Sequence, residues 1–221
     1  MIQESTLHFL TDLQENNHKE WFDANRKRYD AAKKNFLAVT TELLEGLAKQ
    51  DEAIAQADLD PKKTLTRINR DIRFSKDKTP YNAHFFTTLS AGGKKSPMAG
   101  YYLRVSPDES FHGGGVYMPD NAVLGKIRQE IDYHVEEWKA IVEGPELTTH
   151  YGALQTNGAL SRPPKGYPAD HPALDWLKRK GHYSYKPISA AELLQEDWLE
   201  KVLAHFRAIQ PLIAFINRAL V

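Results

Sequence analysis

One segment of this chain concentrates charged side chains of the kind that bind anions. Between positions 62 and 95 the sequence holds nine basic and two acidic residues, a formal charge of +7 that the remainder balances to a total of zero. Arginine binds carboxylates and phosphates through paired hydrogen bonds, and lysine supplies a point charge. A neutral chain with one basic segment is therefore predicted to prefer anions locally rather than over its whole surface. The candidate ligand-binding residues are Arg67, Arg70, Asp71, Arg73, Lys76, Asp77, Lys78, Tyr81 and His84.

Two interpretations of residues 67–81 are open. In the first, Arg67 and Arg73, with Lys76 or Lys78, converge on a phosphate or carboxylate; the two aspartates orient them, and the tyrosine and histidine donate hydrogen bonds. In the second, the aspartates form structural ion pairs that close a loop over the core. Five cations against two acids leave a surplus that internal pairing cannot absorb, so a small anionic ligand is the first prediction. In an enzyme, the cations would stabilise developing charge and an Asp or His would move protons, but the sequence does not decide whether catalysis occurs.

Arg70 is predicted to need a hydrogen-bond or ion-pair partner among its neighbours. If residues 65–74 form a strand, Arg70 shares a face with Ile68 and other apolar side chains. A guanidinium in such surroundings needs a carboxylate or carbonyl partner, because an unpaired buried charge is strongly destabilising. Asp71 and Asp77 are the nearest candidates in the sequence.

A second functional hypothesis is a binding module for nucleic acid or a phosphorylated partner, without catalysis. Basic residues that alternate with aromatic ones can follow a phosphate backbone and stack on bases. The neutral total charge argues against it, because nucleic-acid-binding domains are usually basic as a whole. A third hypothesis gives the basic segment only a structural role. The aromatic residues available for stacking are Phe74, Tyr81, Phe85 and Tyr101.

Other chemistries find little support in the sequence. Cysteine is absent, which removes thiol nucleophiles, disulfides and cysteine-ligated metals and is typical of a reducing compartment. The sequence has no P-loop, no G-x-G-x-x-G and no H-E-x-x-H, so we expect no cofactor and no metal. The N-terminus lacks a signal-peptide pattern and no apolar stretch is long enough to span a membrane, so we expect a cytoplasmic protein without a membrane partner. The sequence does not indicate an oligomeric state.

Three further motifs have structural explanations. The run from His112 to Gly115 is similar to an oxyanion-hole sequence, but no G-x-S-x-G elbow accompanies it; the glycines instead predict a bulge or a close backbone approach and could form a wall beside the basic segment. Ser75 and Lys78 match S-x-x-K by chance, since the supporting motifs are missing. Trp21 either packs under the N-terminal helix, as aromatic residues usually do, or lines a cleft and stacks on a flat ligand.

Hydrophobic periodicity predicts helices at both ends of the chain and strands between them. A helix at about 6–15 precedes a long helix to about residue 50, with Asn17 as N-cap and Glu20 completing a capping box. In the long helix, Phe22, Tyr29, Phe36 and Leu43 recur every seven residues, and this stripe is predicted to pack in the core. Strands are predicted at 65–74, 84–91, 100–105, 111–118 and 181–187. Residues 155–168 read as an irregular hairpin or loop. Further helices are predicted at 121–134 behind Asp120, at 136–142, after Asp170, behind a capping box of Ser189 and Glu192, and at 196–220, where Pro211 should introduce a kink.

These elements predict an α+β fold, a central antiparallel sheet flanked by N-terminal and C-terminal helices. Close strand spacing without intervening helices favours a meander over parallel βαβ units. The length of 221 residues fits a single domain, 1–221.

The central motif resembles a known family. The order R-x-x-R-D-x-R-F-S-x-D-K-x-P-Y from Arg67 to Tyr81 is similar to the signature of the domain-of-unknown-function 2461 family of conserved hypothetical proteins. Blocks at 9–29, 100–103, 110–115 and 124–128 resemble the same family, so the resemblance covers most of the chain. Asn69 replaces an expected aromatic residue, and Asn82 an expected basic one. The resemblance implies a compact single-domain protein and no assigned reaction.

Overall fold

The computed structural model describes residues 1–156 and 158–221. These residues form eleven helices and one four-stranded sheet, which confirms the α+β prediction. The helices are α1 (Glu4–Glu15), α2 (Lys19–Ala24), α3 (Arg26–Ala48), α4 (Glu52–Gln56), α5 (Pro61–Thr64), α6 (Asn121–Tyr133), α7 (Val135–Val142), α8 (Pro145–Tyr151), α9 (Leu174–Leu177), α10 (Ala190–Leu193) and α11 (Trp198–Arg218).

The sheet is an antiparallel meander, as the close strand spacing predicts. Its strands are β1 (Phe85–Leu89), β2 (Gly100–Val105), β3 (Phe111–Val116) and β4 (His182–Pro187), and they neighbour one another in sequence order. In β1, Phe85, Thr87 and Leu89 are buried while the residues between them are partly exposed. This period of two is the pattern of a strand with one face on a hydrophobic core.

The described residues separate into two compact units; the single-domain prediction remains untested. One unit contains residues 1–89, 102–112 and 187–203, and the other contains 90–101, 113–186 and 204–221. The first unit includes α1, α2 and α3, whose buried residues form its core. Phe36 of α3 stacks on Phe85 of β1 with ring centroids 5.2 Å apart. The heptad stripe of α3 is therefore core packing, as its period predicts.

The start of the second helix differs from the prediction. His18, rather than Asn17, is the N-cap of α2, and its Nδ1 accepts a hydrogen bond from the backbone N–H of Trp21 at 3.4 Å. The predicted long helix is also two helices, because the backbone leaves helical geometry at Asn25. The Asn17 side chain instead forms hydrogen bonds with the backbone N–H and carbonyl of Tyr81.

The predicted strand at 65–74 is wrong. Only isolated bridges form there, between Leu65 and Thr87 and between Asn69 and Tyr81. Pairing ends where Arg70 donates its N–H to the carbonyl of Pro80, and residues 71–79 form a loop. The face alternation expected of a strand is consequently lost beyond Arg70.

The second unit contains α6, α7, α8, α9 and most of β4. Its centre includes the Trp138 ring of α7, which lies 5.1 Å from the His182 ring of β4 and 5.1 Å from the Phe215 ring of α11. Asp120 caps α6 as predicted. The helix predicted behind Asp170 begins later, with Ala173 as N-cap of α9, and α8 was not predicted.

Elsewhere the turn chemistry follows the sequence. The capping box of Ser189 and Glu192 is present at α10. Pro211 lies inside α11, which continues through it. Part of the irregular region predicted at 155–168 lies outside the described residues, at Asn157; on either side, single bridges join Gln155 to Tyr183 and Ala159 to Arg179. No described helix combines the length and apolar character needed to cross a membrane.

Candidate anion-binding segment

The basic loop, defined here as residues 67–81, is closed at its base by antiparallel backbone pairing. Arg70 N–H donates to the Pro80 carbonyl at 2.9 Å, and Asn82 N–H donates to the Ile68 carbonyl at 2.7 Å. Between these bonds, the N–H and C=O of Tyr81 point away from the pairing, and the Asn17 side chain takes both, at 3.0 and 2.9 Å. The base of the loop is thereby fixed on both sides.

Arg70 has the partner that its position demands. Its guanidinium donates to Asp77 Oδ2 at 2.6 Å, to the Thr79 carbonyl at 3.0 Å and to the Thr79 hydroxyl. The backbone N–H of Thr79 and the Arg70 guanidinium together lower the pKa of Asp77 to about 2. Arg70 is only 25% exposed, so this contact is structural and links the two ends of the loop.

Arg73 is paired with its neighbour Asp71. Its Nε and Nη2 donate to the two carboxylate oxygens at 2.9 and 2.7 Å, a bidentate geometry. The pair lies at the surface, with the Arg73 side chain 76% exposed. Hydrogen bonds from Arg73 hold the pKa of Asp71 below its usual range. Arg73 also lies over the Phe74 ring, 5.8 Å from its centroid.

The remaining cations of the loop have no carboxylate partner in the described part of the chain. Lys78 donates from Nζ to the Ile72 carbonyl at 2.9 Å. Arg67 and Lys76 are exposed, and no ion pair forms at either. Internal pairing therefore neutralises two of the five cations, and the surplus anticipated from the sequence persists in the fold.

Tyr81 and His84 have different surroundings from the loop cations. Tyr81 is 7% exposed, and its ring stacks on Phe22 with centroids 4.0 Å apart. Burial, together with the charge of Arg104, lowers the pKa of His84 to about 4, so this imidazole is neutral near pH 7. Tyr81 thus packs in the core and anchors the loop, and the His84 imidazole adds no positive charge near pH 7.

The aromatic residues considered for base stacking separate sharply by exposure. Tyr81, Phe85 and Tyr101 are 7%, 4% and 0% exposed and cannot reach a base without unpacking the core. Phe74, at the tip of the basic loop, is 95% exposed. The sequence pattern did not distinguish it from the others, because the predicted strand places Phe74 on the same face as Ile68.

The other sequence motifs have structural roles. Residues 113–115 lie within β3 rather than in a loop wall: a Cβ at Gly113 would meet the Ser184 carbonyl, and one at Gly115 would meet that of His182. Trp21 stacks on Phe9 of α1 at 6.1 Å, as the packing interpretation predicts. Lys78 Nζ contacts the Ile72 carbonyl, which also accepts the N–H of Ser75, so the S-x-x-K match shows no activated serine.

Metal-binding geometry is absent from the described residues. In them, no group of three His, Asp or Glu side chains is placed to hold an ion. The expectation that the protein uses no cofactor remains a prediction.

Comparisons with known proteins identify the family. The model of the family described as conserved hypothetical protein (DUF2461) matches residues 5–215. This match covers nearly all of the 221 residues, so the chain belongs to that family. No curated protein and no solved structure matches the chain. The family description assigns no reaction.

Proposed function

We propose that the protein binds a phosphate- or carboxylate-bearing ligand at the basic loop. The observation that carries this proposal is the cation surplus: Arg67 and Lys76 are exposed without an ion pair in the described residues, and Lys78 contacts only a carbonyl. An exposed surplus of this kind attracts an anion from solution. The anchored base of the loop supports the proposal, because a fixed backbone lowers the entropy lost on binding.

Arg73 is the natural bidentate contact for such a ligand. Its pair with Asp71 is exposed, and exposed ion pairs contribute little to stability. A phosphate or carboxylate in solution can therefore replace Asp71 as the partner of this guanidinium. Arg70 keeps its structural role, since its contacts to Asp77 and Thr79 are less exposed.

The protonation states favour binding over proton transfer. Asp71 and Asp77 have pKa values below the usual range, so both are ionised near neutral pH and neither is a general acid. The lowered pKa of His84 makes it a weak base. We infer a binding site whose carboxylates orient cations.

The test is a calorimetric titration of the wild type, Arg67→Gln, Arg73→Gln and Lys76→Gln with inorganic phosphate and with malonate. Each loop variant removes one charge-assisted contact, so the affinity should fall by about tenfold per variant. Lys34→Gln is the matched control, because Lys34 is an exposed lysine on α3 outside the loop. Binding that is unchanged in Arg67→Gln and Arg73→Gln would reject the proposal.

One observation favours a second candidate, a site for nucleic acid or a phosphorylated partner. Phe74 is almost fully exposed beside a guanidinium and can stack on a base. Fluorescence anisotropy with a labelled single-stranded oligonucleotide tests it. Phe74→Ala should weaken binding, and the logarithm of the affinity should fall with the logarithm of salt concentration at a slope of about −0.7 per phosphate contact. A flat salt dependence, or no binding at low salt, would exclude this candidate.

A further inference from the structure

A second cluster of cations lies in the unit that contains α6 and β4. Arg128 of α6 donates from Nε to the Leu177 carbonyl at 2.7 Å and from Nη2 to the Arg179 carbonyl at 3.4 Å. Arg179 donates from Nη1 to the carbonyls of Leu154 and Gln155 at 2.9 and 3.4 Å. The first arginine therefore touches the backbone of the second.

In the part of the chain that the structure describes, no ion pair joins Arg128 or Arg179 to an acidic side chain. Both are partly buried, and their partners are backbone carbonyls. Burial lowers the pKa of each guanidinium; Asp175 acts against this at Arg179, but less strongly than burial. The carbonyls satisfy some of the N–H donors of the two guanidiniums but carry no net charge, and an oxyanion would balance the two partly desolvated positive charges.

A buried imidazole lies in the same part of this unit: Arg179 donates to the carbonyl of Gln155, and Gln155 pairs with Tyr183, the residue that follows His182. His182 is 0% exposed, and neither of its ring nitrogens has a hydrogen-bond partner among the described residues. Both arginine charges act on this ring and, with burial, keep it neutral. The ring also packs edge-on against Trp138. Buried polar atoms almost always have a partner, and an oxyanion held by the two arginines would supply one to this histidine.

We propose that Arg128, Arg179 and His182 form a second site for a small oxyanion, a carboxylate or phosphate group, separate from the basic loop. Each guanidinium keeps N–H donors beyond those used on carbonyls, since arginine has five. The oxyanion approaches from the partly exposed side of the arginines, and an inner oxygen accepts the imidazole N–H of His182. A movement of the side chains that enclose His182 accompanies binding.

The test follows the ring-proton NMR signals of His182 while the wild-type protein is titrated with inorganic phosphate and, separately, with acetate. The signals are assigned by their loss in His182→Gln. A saturable shift with both ligands identifies a general oxyanion site, and a shift with phosphate alone identifies a phosphate site. No saturable shift with either ligand overturns the proposal.

Variants then show whether the arginines hold the ligand. Arg128→Gln and Arg179→Gln keep an amide donor for the carbonyls but lose the charge, so the apparent affinity should fall by at least about tenfold. Arg26→Gln, which removes an exposed arginine paired with Asp30, should leave it unchanged. Arg67→Gln should also leave the His182 response intact, which separates this site from the basic loop. A response that persists in both Arg128→Gln and Arg179→Gln contradicts the assignment.

Discussion

Removal of the Asn17 side-chain amide should destabilise the protein, because this amide holds the base of the basic loop through two hydrogen bonds. Tyr81 donates its N–H to Asn17 Oδ1 at 3.0 Å, and its carbonyl accepts from Asn17 Nδ2 at 2.9 Å. The amide thus pairs with the backbone N–H and carbonyl of Tyr81 as a neighbouring strand would, on the side opposite Asn69. Asn17→Ala removes both bonds at a partly buried position.

The magnitude follows from the two bonds. A neutral hydrogen bond contributes about 0.5–1.5 kcal/mol net, so we expect the free energy of unfolding to fall by about 1–3 kcal/mol. Urea denaturation measures this directly, and the melting temperature should decrease by roughly 2–4 °C for each kcal/mol. Asn17→Asp keeps the acceptor for the Tyr81 N–H and loses the donor, so its loss should be intermediate.

A matched pair elsewhere in the chain provides the control. Asn217 Oδ1 accepts the N–H of Ala99 at 2.8 Å, and its Nδ2 donates to the Ala99 carbonyl at 3.2 Å. Asn217→Ala should therefore lose a comparable amount of stability without affecting ligand binding at the basic loop. If Asn17→Ala unfolds at the wild-type urea concentration, the two bonds do not contribute and the reasoning is refuted.

Three further predictions concern stability. Gly113→Ala should cost about 1–3 kcal/mol because the new Cβ meets the Ser184 carbonyl, whereas Gly125→Ala, in a helix with open space, should stabilise by about 0.5–1 kcal/mol in the same urea assay. Burial lowers the pKa of His182 to about 3, below its value in the unfolded chain, so acidification protonates the unfolded chain first and destabilises the folded state. Between about pH 7 and about pH 5 the free energy of unfolding of the wild type should therefore fall by about 2 kcal/mol more than that of His182→Gln. Phe74→Ala should change the unfolding free energy by less than about 0.5 kcal/mol, because the ring is 95% exposed; a larger loss would mean that Phe74 packs in solution.

The sequence predicted those elements whose signal is local. The seven-residue stripe that includes Phe36 defines the buried face of α3, and Asp120 and Ser189 cap the helices that follow them. The partner of Arg70 was also among the two predicted, because a partly buried guanidinium must find a carboxylate within reach. Local periodicity and capping chemistry are sufficient for such features.

Features that depend on distant residues were not predicted. Asn17 has the side chain of an N-cap, but its partners are 64 residues away in the sequence, and His18 caps the helix instead. The strand predicted at 65–74 fails because Asp71 and Asp77 bind N–H groups of their own loop, at Arg73 and Thr79. Short polar side chains that satisfy nearby backbone groups compete with strand pairing.

The cluster around Arg128 illustrates the same limit for function. Arg128 and Arg179 are 51 residues apart, and Arg179 lies in a run of only three basic residues, 178–180, so charge patterning indicates the basic loop alone. A single arginine on an amphipathic helix looks like an ordinary surface residue. Only burial and the unpaired His182 distinguish it, and both are properties of the fold.

The two proposed sites should differ in their response to salt. The loop cations are exposed, and ions screen exposed charges over a Debye length of about 10 Å at about 0.1 M ionic strength. Partly buried charges such as Arg128 and Arg179 are screened less. Phosphate binding at the basic loop, measured by calorimetry in Arg128→Gln, should therefore weaken steeply as potassium chloride is added. Phosphate binding at the second site, followed by the His182 signals in Arg67→Gln, should weaken much less. Equal salt dependence at the two sites would show that both ligands bind at exposed charges, and the argument from burial for the second site would fail.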